Sequence, residues 1–233
     1  MFDLTEFLLE LIVIAPIVLI SLSFHEWAHG YIAYKLGDPT AKYLGRLTLN
    51  PIKHIDPIGA LCMLLAHFGW AKPVPIDITN FKHPKRDLAL SAMAGPVVNV
   101  LLGIVGCFLY VVAINFIPYN FESAFLTGLV DLLFSFLFYF GVLNFTLSLF
   151  NFLPIPPLDG SKILYAFLPP AANNWCKMHE REISVGFFAL LFIDYRILDG
   201  ALMGFLYNGV SSIFFTFASL FNLLLSLFAN IFI

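Results

Sequence analysis

Charge is scarce in this sequence. Only 12% of its 233 residues are Asp, Glu, Lys or Arg, 60% are apolar, and the mean hydropathy is +0.89. A soluble domain averages about 25% charged residues and about 45–50% apolar ones. The composition therefore excludes an ordinary soluble domain and indicates an integral membrane protein. The net charge of −3 leaves no basic surface for nucleic acid. Cysteine is also sparse: Cys62, Cys107 and Cys176 are isolated, with no C-x-x-C pair. Cys62 and Cys107 lie in apolar stretches and read as small buried hydrophobes. A basic n-region is missing too. The N-terminus carries Asp3, Glu6 and Glu10 instead, so the first apolar run is expected to be retained rather than cleaved. No repeat or low-complexity tract is visible, and with an apolar run ending at Ile233 no appended soluble domain is expected.

What is abundant is apolar sequence of membrane length. A helix needs about 20 residues to cross about 30 Å of hydrocarbon. Runs of that size occur at 7–34, 88–117, 125–153, 183–206 and 209–233, with a turn expected at Tyr207-Asn208-Gly209. The run from Ile58 to Trp70 is shorter and reads as a re-entrant or interfacial piece. An all-α polytopic protein with about five to six transmembrane helices is expected, forming one domain over 1–233 with a core at 7–164 and peripheral helices at 183–233. Eight of the 12 basic residues lie between the first two long spans and three between the third and fourth. Both loops then share one side, which the positive-inside rule makes cytoplasmic. Within the loop at 37–87, residues 43–49 and 74–78 are β-favouring and bounded by Gly, Pro and Asn, so a small sheet at the membrane surface is expected.

One cluster opposes the apolar trend. His25-Glu26-Trp27-Ala28-His29 puts three ionisable groups inside the first span, each costing roughly 2.5 kcal/mol or more when charged at the bilayer centre. Histidines at i and i+4 share a helix face and can bind one zinc ion, with Glu26 beside them as a base rather than a ligand. Catalytic zinc usually takes three protein ligands. His54, His67, His83 and His179 all lie in or near loops. The acidic candidate is Asp159, in Asn151-Phe-Leu-Pro-Ile-Pro-Pro-Leu-Asp159-Gly160, where prolines break the third span at the same side of the membrane as the histidine pair. Leu198-Asp199-Gly200 repeats the tripeptide but lacks the proline lead-in and lies near the other side. Asp194 and Arg196 read as an ion pair. Trp27 reads as a packing residue.

His25-Glu26-x-x-His29, Ala94-Gly95-Pro96-x-x-Asn99 and Asn151-x-x-Pro154-x-Pro156-x-x-Asp159-Gly160 together resemble the site-2 protease family of intramembrane zinc metalloproteases, peptidase family M50. The resemblance is to compact prokaryotic members without a PDZ or CBS domain. Leu49-Asn-Pro-Ile-Lys-His54-Ile-Asp56-Pro57-Ile-Gly59 and Lys72-Pro-Val-Pro75 are similar to that subgroup as well; Ser161-Lys162 departs from the Gly-Arg of many relatives. The resemblance implies one Zn2+ held by His25, His29 and Asp159, with Glu26 as catalytic base. On residues alone, Gly95-Pro96 reads equally as a helix kink and Asn99 as an interhelical hydrogen bond; the resemblance moves Asn99 to the active site, holding the substrate backbone or a developing oxyanion. His54 with Asp56 reads as a pair supporting the metal ligands or as a turn, and Asn151 as a helix-end cap.

The implied activity is hydrolysis of peptide bonds within or near transmembrane segments of other proteins. The partners are then such substrates and the lipid bilayer, in a cell inner membrane with the site toward the cytoplasm. The sequence sets no oligomeric state. A metal transporter and a catalytically inactive relative that binds membrane proteins are the rival readings. Transport would call for ligands on both sides of the membrane, and an inactive relative could lose Glu26 or a ligand.

Overall fold

The computed structural model describes residues 4–57, 59, 71–119, 121–197 and 200–232. Eight helices follow one another among them: α1 (Leu4–Lys35), α2 (Thr40–Tyr43), α3 (Pro84–Phe116), α4 (Ala124–Phe152), α5 (Asp159–Phe167), α6 (Pro170–Met178), α7 (Glu180–Ile197) and α8 (Ala201–Phe232). Among the described residues four helices are long and apolar enough to cross a membrane: Leu11–Lys35, Pro84–Phe116, Ala124–Phe152 and Ala201–Leu227. The expected fifth span at 183–206 is not one of them. Helix α7 has 18 residues, about 27 Å at 1.5 Å per residue, and carries Glu180, Arg181, Glu182, Asp194 and Arg196. The expected turn at 207–209 lies inside α8, where Ser212 Oγ donates to Asn208 O across an ordinary helical turn. The break instead falls just before Ala201, where Gly200 has φ +69° and Asp194 accepts the Leu202 N–H at 2.8 Å. The run at 58–70, with Cys62 and His67, lies outside the described residues except for Gly59; so do Asp199 and the side chain of Arg196.

The small sheet is a correction. No strand forms among the described residues, and Ile55 and Ala71 make only an isolated antiparallel bridge. The reason lies in the turns. Helix α2 ends at residues expected to be extended: Gly45, at φ +64°, donates to Lys42 O, and Arg46 N to Ala41 O. This pairing is the Schellman stop, which favours glycine at its left-handed position. The second segment is extended but has prolines at 73 and 75, which carry no N–H for a ladder. Its polar groups are met by side chains instead of a neighbouring strand.

The chain divides into two compact units. One comprises Met1–Val18, Val100–Thr146 and Met203–Ile233. Its core gathers Cys107, Val111, Val142, Phe145, Val210, Phe214 and Ala218. Small residues set the spacing, as in membrane helix pairs generally. A Cβ at Gly106 would lie 2.9 Å from Gly141 N, and one at Gly141 2.4 Å from the Phe214 ring. Helices α3 and α4 can therefore approach backbone to backbone, with Phe214 of α8 filling the space the second glycine leaves.

The other unit comprises Leu19–Asn99 and Leu147–Leu202. Helix α1 ends in a second Schellman stop, with Gly37 at φ +114° and Asp38 N donating to Ala33 O at 2.9 Å. Asp38, fully buried, then ties the following loop together. Its Oδ1 accepts from Thr40 N at 3.1 Å, from the Thr40 hydroxyl and from Asn80 Nδ2 at 2.8 Å, and its Oδ2 accepts from Asp77 N at 2.8 Å. Burial alone would raise this carboxyl; the donors from Thr40, Asn80 and Asp77 outweigh it and hold it below the usual carboxylate range.

A carboxylate depressed in the folded state contributes stability above its unfolded value of about 3.9, lost as pH falls through the folded value. Asp38→Asn is expected to be less stable at pH 7 by about 2 kcal/mol. The gap to the unsubstituted protein should close on acidification below about pH 4, read from detergent or thermal unfolding midpoints.

Candidate metal centre

Helix α1 carries His25 and His29 one turn apart, both buried. Their ring orientation is fixed from behind. His25 Nδ1–H donates to Asn99 Oδ1 at 2.6 Å, and His29 Nδ1–H donates to the Ser91 carbonyl at 2.7 Å, both acceptors lying on α3. Ser91 Oγ donates in turn to His29 O at 3.0 Å. A carbonyl oxygen can only accept, so each Nδ1 carries the proton and each Nε2 presents a lone pair.

Asp159 arrives from a different part of the chain. Helix α4 stops at Phe152, prolines 154, 156 and 157 turn the chain, and α5 begins at the aspartate itself. Gly160 makes the turn possible: a Cβ there would lie 2.2 Å from Leu153 O and 2.4 Å from Phe152 O, so the backbone passes directly over the end of α4. Asp159 Oδ2 then lies 3.1 Å from His25 Nε2 and 3.0 Å from His29 Nε2, which are 3.0 Å from each other. The other oxygen, Oδ1, is engaged by Lys162 Nζ at 2.9 Å.

Three acceptor atoms therefore face one another inside a buried pocket, and such an arrangement is repulsive unless a cation sits among them. His25, His29 and Asp159 form a group that could hold a metal ion. A tetrahedral zinc with bonds of about 2.0–2.2 Å keeps its ligand atoms roughly 3.3 Å apart, close to the separations found, and two imidazoles with one carboxylate are a zinc donor set. The residues fit the ion.

Glu26 is buried next to this group but stays out of it, and its Oε2 accepts the Val74 N–H at 2.7 Å. A cavity of about 200 Å³ opens beside His29, lined by Val74, Ile76, Leu88, Ala92 and Lys162.

The sequence-expected residues His25, Glu26, His29, Asn99 and Asp159 are thus brought together. Asn99 differs in what it does. Its carboxamide oxygen accepts from His25 Nδ1 and so orients an imidazole, a part the sequence did not suggest; the expected role toward the substrate backbone or an oxyanion would fall to its Nδ2. His54 and Asp56 serve the loop's own turns, His54 Nε2 donating to Thr48 O at 2.7 Å and Asp56 Oδ1 accepting from Gly59 N at 2.9 Å. Asn151 Nδ2 donates to Leu147 O within α4, a helix-end bond. Trp27 stacks on Tyr31, with ring centroids 4.9 Å apart.

Sequence reasoning missed Ser91, Val74 and Lys162, whose parts are played by backbone groups or by a pairing three residues along a helix. It also undervalued Gly95. A Cβ there would stand 2.4 Å from His29 Nε2 and 2.6 Å from His25 Cε1. The glycine in Ala94-Gly95-Pro96 is the space into which the two imidazoles fit.

The sequence model of peptidase family M50 matches residues 13–193. The chain belongs to peptidase family M50. It is accordingly a metalloendopeptidase of the site-2 protease family, and its apolar helices make it a multi-pass membrane protein. It is similar to YwhC of Bacillus subtilis, which bears a zinc-metalloprotease name, at 43% identity over 211 residues, 89% of this chain and 92% of the relative. Rip2 of Mycolicibacterium smegmatis, named in the same way, is 28% identical over 160 residues, covering 67% of this chain and 57% of the relative. The zinc metalloprotease MJ0392 of Methanocaldococcus jannaschii is 26% identical over 152 residues, 65% of this chain and 33% of the relative. No solved structure matches.

Two substitutions test how an M50 site is supported here without touching a ligand. Gly95→Ala should abolish stoichiometric zinc, measured by elemental analysis of the purified protein. Asn99→Ala, which frees the His25 ring, should weaken zinc about 10- to 100-fold in competition with a chelator.

Proposed function

We propose that the chain is an intramembrane zinc metalloendopeptidase that hydrolyses peptide bonds within or beside transmembrane segments of other membrane proteins. The observation that carries this reading is the meeting of His25, His29 and Asp159 next to a non-ligating Glu26, on a helix apolar and long enough to span the bilayer. His25 Nε2, His29 Nε2 and Asp159 Oδ2 would hold the zinc. When bound, zinc supplies Lewis-acid polarisation of a carbonyl and acidifies water from near 16 towards about 7.

The chain's own residues do the rest. Glu26 accepts the proton of the attacking water and returns it to the leaving amine. Lys162 occupies Asp159 Oδ1 and leaves Oδ2 for the ion. Asn99 and the Ser91 carbonyl keep both imidazoles in the tautomer a ligand needs. The cavity beside His29 accommodates a substrate side chain flanking the scissile bond, and the substrate helix must unwind locally, because its carbonyls are otherwise engaged in its own ladder.

Orientation follows from charge. With four spans, as with five, the basic loops after the first and third spans fall on one side, and the positive-inside rule supports a site toward the cytoplasm of a cell inner membrane. We read residues 1–233 as a single metalloprotease domain.

Glu26→Gln should cut a membrane-protein substrate about 10²- to 10⁴-fold more slowly while retaining one zinc per chain. Comparative membrane proteomics of cells carrying either form supplies the substrate: a product that appears only with the unsubstituted protein. Equal product from both forms, or movement of metal across liposomes with no cleavage, would refute the proposal.

A further inference from the structure

Among the described residues Glu26 takes a hydrogen bond from outside its own helix, and that bond comes from an unusual place. Val74 lies between Pro73 and Pro75, neither of which has an N–H, so Val74 N is the sole backbone donor of residues 73–75. A residue preceding proline is pushed toward extended conformations, and both Lys72 and Val74 precede one. The segment is thus stiffened by its own sequence into an extended strap that offers one proton, and Glu26 Oε2 takes it at 2.7 Å.

The strap is fixed from the side by Arg46. Its Nη2 donates to Lys72 O at 2.8 Å and to Pro73 O at 3.3 Å, the carbonyls just before the Val74 nitrogen. Lys72 N donates to His54 O at 2.9 Å, anchoring the strap's start. Arg46 is itself buried and is aimed inward by the left-handed Gly45 that ends α2. Among the described residues no neighbouring strand holds these carbonyls, and the guanidinium does so instead. Both bonds come from one nitrogen of a planar, rigid guanidinium, whose N–H directions are fixed where those of a lysine ammonium rotate.

We infer that Arg46 is a positioning residue for the catalytic base: it holds Lys72-Pro73-Val74-Pro75 so that the lone Val74 N–H orients the Glu26 carboxylate. The inference rests on Glu26 being the base. It predicts that Arg46 and Val74 act on Glu26 as one unit, and that neither is needed to hold zinc.

Two readouts test it on the full-length protein in nanodiscs. The first needs no cleavage. Residues 73–75 carry one exchangeable amide, so hydrogen–deuterium exchange there reads Val74 alone; it should be slow in the unsubstituted protein and at least ten times faster in both Arg46→Ala and Glu26→Ala. The second uses a substrate found by the proteomic comparison. Arg46→Ala and Val74→Pro should each lower kcat roughly 10- to 100-fold, with KM within about twofold and one zinc per chain. The double variant should be no slower than the worse single one, since both break the same link. Val74→Ala, which keeps the N–H, should retain at least ten times the kcat of Val74→Pro, and Arg46→Lys should fall between Arg46→Ala and the unsubstituted enzyme. Fast exchange at Val74 in the unsubstituted protein, additive losses in the double variant, or zinc lost with activity would overturn the inference. If the protein cuts nothing while the amide still answers to Arg46 and Glu26, the protease reading fails and the linkage stands.

Discussion

Three lone pairs aimed at one point, from segments 130 residues apart, set the terms for the structure around them. Left to themselves they repel, and burial makes the repulsion worse, because little water is present to screen it. Each must be held in place by something that gains energy elsewhere. For the imidazoles that is a hydrogen bond from the far ring nitrogen to α3; for Asp159 it is the Lys162 ion pair and the tight turn at Gly160. The fold supplies the strain of assembly in advance, so that a cation entering the pocket meets donors already turned toward it.

The chemistry-bearing residues were legible because their cost is visible in one dimension. A histidine pair with a glutamate in a membrane run, or an aspartate after three prolines, stands out against an apolar background. The supports were not legible for an equally physical reason. Ser91 contributes its carbonyl, which every residue possesses, and Val74 its N–H, which every residue but proline possesses; no side-chain pattern announces either. Gly95 contributes an absence of atoms. The pattern at 43–49 and 74–78 favoured strands, but Gly45 and the two prolines decided against them. Helix α7 is not among the membrane-length apolar helices of the described residues, because it keeps charged residues near both of its ends.

Several polar side chains elsewhere in the apolar helices bond within their own helix, while Asn115 Nδ2 also reaches Asn222 Oδ1 on α8 at 2.7 Å. Ser23 donates to Leu19 O, Asn144 to Phe140 O, Thr146 to Val142 O and Thr216 to Ser212 O, each one turn back along its own helix. Such bonds satisfy a donor in hydrocarbon without enlisting another segment. The site does the opposite: almost every polar contact there runs between distant parts of the chain.

Gly95 bears on how kindred sequences are judged active or dead. Such judgements usually rest on whether the ligands and the base are present. Here the smallest possible enlargement of a neighbouring residue would occupy the volume of an imidazole nitrogen. A kindred sequence could keep both histidines, the glutamate and the aspartate, pass any scan for its motifs, and still have no room for its own active site.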